Sequence, residues 1–73
     1  MTEQELQNYA DRYVKNELKH VIKGAKMPNI RPMLERIYDD IFEQGHFILP
    51  SIKERIATDA MKKVEDAWLD AYK

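Results

Sequence analysis

Apolar side chains along the chain fall into three helical stripes separated by short interruptions. In the first, Leu6, Tyr9, Ala10, Tyr13, Val14, Leu18, Val21, Ile22 and Ala25 recur at three- and four-residue steps, the rhythm of one face of a helix. Thr2 and Glu5 have the spacing of a capping box, in which hydroxyl and carboxylate satisfy orphan backbone donors. Glu3 and Glu5 also set negative charge at the positive end of the helix dipole. Gly24 and Pro28 predict a stop near Lys23, for a helix of about twenty residues.

The second stripe is broader. Ile30, Met33, Leu34, Ile37, Tyr38, Ile41 and Phe42, at about 100° per residue, cover roughly half of a helix surface. Such a helix is expected to sit between two others. Asn29 predicts its N-cap, Pro32 lies in its first turn, and Gly45 predicts a left-handed cap after Gln44. A third helix is expected from the Ser51 and Glu54 capping box to the end of the chain. Its apolar set is Ile52, Ile56, Ala57, Ala60, Met61, Val64, Ala67, Trp68, Ala71 and Tyr72, with Leu69 to one side. The alanines permit close approach of a neighbour.

Between these two helices, Phe47, Ile48 and Leu49 are consecutive and have no helical period. Pro50 disfavours helix at Leu49, so the segment 47–49 is expected to cross the core in extended form. The fold class that follows is all-α: a small three-helix domain spanning 1–73, with a short extended apolar segment between helices two and three.

Length and charge narrow the functions. Seventy-three residues suffice for one domain, and a domain this small buries a modest share of its surface. The absence of cysteine excludes disulfides, thiolate nucleophiles and zinc–thiolate sites. No apolar run approaches the roughly 18 residues of a membrane span, and the acidic, polar start is unlike a signal or transit peptide. The chain therefore reads as a complete, cytoplasmic protein without a membrane partner. Twelve basic against thirteen acidic residues leave a net charge of −1, so non-specific nucleic-acid binding is not its default behaviour.

One polar pattern stands out. Arg12, Lys15, Lys19, Lys23 and Lys26 lie within roughly 80° on a helical wheel, opposite the apolar face. Five cations in a row suit an acidic protein surface, phosphates, or plain solvent. Asp11 and Glu17 dilute their field. A helix-turn-helix reading fails on two counts: helix two carries Glu35, Asp39, Asp40 and Glu43 where phosphates would pass, and the Gln44–Pro50 connector is long and apolar for that motif.

Asp39, Asp40, Glu43 and His46 cluster in sequence, and carboxylates with imidazole can bind a divalent ion. They match no ligand motif, so a solvated acidic face is the expected role, with no metal and no cofactor. Catalysis finds no support either: Thr2 and Ser51 are accounted for as caps, and His20 and His46 have no evident triad partners.

The remaining expectation is association. Apolar surface looks larger than three helices can hide, in helix two, at 47–49, and at Leu69 and Tyr72. Tyr9, Tyr13, Phe47, Trp68, Leu69 and Tyr72 are candidate anchors for a protein partner or a dimer. The expected function is a non-enzymatic protein-interaction module, most simply a homodimer, that occupies a partner's surface. Regulators, inhibitors and adaptors, including small proteins of phages and mobile elements, fit by size and style. The alternative is a nucleic-acid-binding regulator using the basic face of helix one.

Overall fold

The structure, a computed structural model, describes residues 1–21 and 29–72. Three helices follow one another: α1 (Glu3–Leu18), α2 (Arg31–Gln44) and α3 (Pro50–Tyr72). The expected all-α, three-helix fold is the observed one.

α1 starts as the capping box requires. The Thr2 hydroxyl accepts from the Glu5 N–H at 3.1 Å, and the Glu5 carboxylate accepts from the Thr2 N–H at 3.1 Å. Donation from the Thr2 backbone N–H, and then from its hydroxyl, holds the Glu5 carboxyl below its usual range. The far end departs from expectation: α1 stops at Leu18, not near Lys23. Its last turn tightens through bonds from Lys19, His20 and Val21 to carbonyls three residues back. Leu18, one turn past Val14, is 40% exposed, while Val21 packs against the core from beyond the helix end. The expected stop at Gly24 and Pro28, and the positions of Ile22, Lys23, Ala25 and Lys26, lie outside the described residues.

In α2 the cap is Ile30, whose carbonyl accepts from Leu34 N–H at 2.9 Å. Asn29 still contributes, since its side-chain oxygen accepts from Arg31 N–H at 3.3 Å. Pro32 falls in the first turn, where its missing N–H costs nothing. α3 begins at Pro50, one residue before the expected Ser51. Proline pre-sets the first helical φ, and the Leu49 carbonyl accepts from Ile52 and Lys53, so Ser51 falls inside the first turn and not at the cap.

One core joins the helices. Leu6, Ala10 and Val14 of α1 meet Ile30, Leu34, Ile37 and Ile41 from α2 and its cap, and Ile56, Ala57, Ala60, Val64 and Trp68 of α3. Glu3 pairs with Arg55 at 3.0 Å, and Leu6 lies beside Gly45. The start of α1 therefore sits by the end of α2 and the start of α3, so α1 and α3 run the same way and α2 runs against them. The element between the other two is α3, not α2 as expected: α1 and α2 each pack along α3 and touch one another over a thin seam. Ala57 and Ala60 allow this by letting both neighbours close in.

Candidate functional site

The connector between α2 and α3 is where sequence expectation and structure differ most. Residues 47–49 do not cross the core. The Ile48 N–H donates to the Gly45 carbonyl at 3.2 Å, closing a four-residue turn. Ile48 alone turns inward, half-buried against the core. Phe47 points into solvent with its side chain wholly uncovered, at 103% relative exposure, and Leu49 is 66% exposed.

The backbone of this turn is strained. Phe47 has φ 66, and no other non-glycine described residue has positive φ. It is the third residue of the turn, the position where positive φ ordinarily selects glycine or asparagine. For a bulky residue that region costs on the order of 1–2 kcal/mol. No contact made by the ring offsets it, because the ring makes none.

Gly45 is a second correction. It caps α2 at φ −82, not in the left-handed region. Glycine suits the closeness there: a Cβ would lie 3.0 Å from Lys53 Cδ, 3.1 Å from Lys53 Cβ and 3.3 Å from Leu6 Cδ2, a tight fit that those side chains would have to relax to admit. The Lys53 ammonium lies 4.3 Å from the centroid of Phe42, a cation–π contact. Phe42 in turn stacks on Tyr38 at 5.8 Å. The turn is thus mounted on a close-packed base, with Phe47 at its apex. Met1, 44% exposed, belongs to the same end of the bundle.

The other candidate residues are dispersed. Trp68 is 8% exposed and belongs to the core. Tyr9 and Tyr13 are half-buried, 6.1 Å apart. The Tyr13 hydroxyl donates to Asp40 Oδ2 at 2.8 Å across the seam between α1 and α2. Partial burial, then that hydrogen bond, push the Tyr13 phenol up to about 12. Leu69 and Tyr72 are exposed at the far end of α3, away from the turn.

Of the basic face, Arg12 and Lys15 are exposed on α1, Lys19 is its C-cap, and Lys23 and Lys26 lie outside the described residues. Neither ion pair among the described residues uses these three. Among the described residues no three His, Asp or Glu side chains converge as metal ligands; Asp40 is engaged by Tyr13. The depressions of the described surface are open and edged by charged side chains, as along α3 at Glu54, Arg55, Asp59 and Lys62.

The exposure of Leu49 agrees with the surplus expected at 47–49, whereas the exposure of Leu18 and Met1 has no counterpart in the sequence pattern. One signal was available for the turn. Three consecutive side chains between Gly45 and Pro50 cannot share a face, because neighbours in extended backbone alternate sides, and the chain offers no evident partner strand to cover the second side. No helix among the described residues is long and apolar enough to cross a membrane. No family model, curated protein or solved structure matches the chain.

Proposed function

We propose that the chain is a non-enzymatic protein-interaction module, a cytoplasmic regulator, inhibitor or adaptor that works as a homodimer by occupying a partner's surface. The observation that carries this reading is surplus apolar surface on an otherwise closed core. Among the described residues no buried side-chain polar atom lacks a partner, yet Met1, Leu18, Phe47, Leu49, Leu69 and Tyr72 stay exposed. The surplus comes from the ends of the bundle and not, as expected, from α2, whose broad stripe is covered or half-covered. Exposed apolar side chains at the ends of a small bundle favour association.

The dimer is assigned to the α3 end. Leu69 there sits in a shallow depression with Lys63, Asp66, Ala67 and Asp70, where an apolar centre has charged groups of both signs around it. Light scattering after size exclusion at tens of micromolar should give twice the chain mass. A folded Leu69→Lys, Tyr72→Lys variant should run as a monomer. A strictly monomeric wild type would overturn the dimer.

A further inference from the structure

We draw no further inference here: the strongest candidate, the apolar-centred surface patch on the last turns of α3 at Lys63, Asp66, Ala67, Leu69 and Asp70, carries nothing beyond the dimer already proposed, because its charges of both signs suit a second copy and a different protein alike and nothing in the structure shows what covers it.

Discussion

The stripe of α2 and the run at 47–49 are built from the same kinds of side chain, yet one is inside and the other mostly outside. Ile37 and Ile41 are fully buried, and the flanking Met33, Tyr38 and Phe42 are half-covered. In the run only Ile48 reaches the core. The difference is period. Apolar residues at helical spacing are delivered to one side by the backbone geometry itself. Three consecutive residues in a turn diverge, and hydrophobicity alone cannot gather them. Apolar content therefore marks a candidate for burial, and only spacing together with local backbone decides it.

The largest way to break this contrast is Ile37→Asp. A carboxylate at a fully buried site has no partner there, so the helical circular dichroism should be lost at room temperature; a folded variant would mean that the stripe is not the core. Trp68→Ala comes next. With the ring buried against the same core, chemical denaturation should show a loss of about 3–5 kcal/mol. A near-wild-type melt with lost association would move Trp68 back to the surface.

Gly45→Ala tests the seat of the turn. The added methyl meets Lys53 and Leu6 at 3.0–3.3 Å, so those side chains must give by a few tenths of an ångström; the lysine can swing away but Leu6 is fully buried, so a loss of about 1 kcal/mol is expected, read from the same denaturation curves. Tyr13→Phe should be the mildest at neutral pH. It removes one partly exposed hydrogen bond across the seam, worth about 0.5–1 kcal/mol. Its signature is in alkali. The folded-state pKa of Tyr13, about 12, lies above its ordinary value of 10.0. The folded state therefore keeps a proton that the unfolded chain sheds between those values, so the contribution is whole below pH 10 and is lost as pH rises towards 12. Over that window the wild type should lose stability faster than Tyr13→Phe; parallel slopes would remove Asp40 as the partner.

Much of the architecture was legible because it is local and periodic. The Thr2 and Glu5 box, the Pro32 position and the buried sets of all three helices follow from spacing that the backbone enforces. What was not legible depends on neighbours. At the end of α1, Leu18 turns out while Val21 still packs on the core, a local parting that only the assembled bundle reveals. The central place of α3 follows from how closely Ala57 and Ala60 let helices approach, while the wider stripe of α2 pointed to the wrong element. At the turn, Gly45 offered an obvious left-handed residue, and the structure puts that conformation two residues later, on Phe47. Steric preference would not choose phenylalanine, and that mismatch is what singles the turn out as a functional candidate.

The thermal melt of Phe47→Asn measures the central claim most directly. If the ring is fully exposed on a strained turn, asparagine relieves strain and forfeits no burial, so stability should stay level or rise by up to about 1 kcal/mol, which moves the midpoint up by at most some 4–8 °C for a domain of this size. A midpoint several degrees below wild type would mean that Phe47 holds the fold together, and would contradict the account.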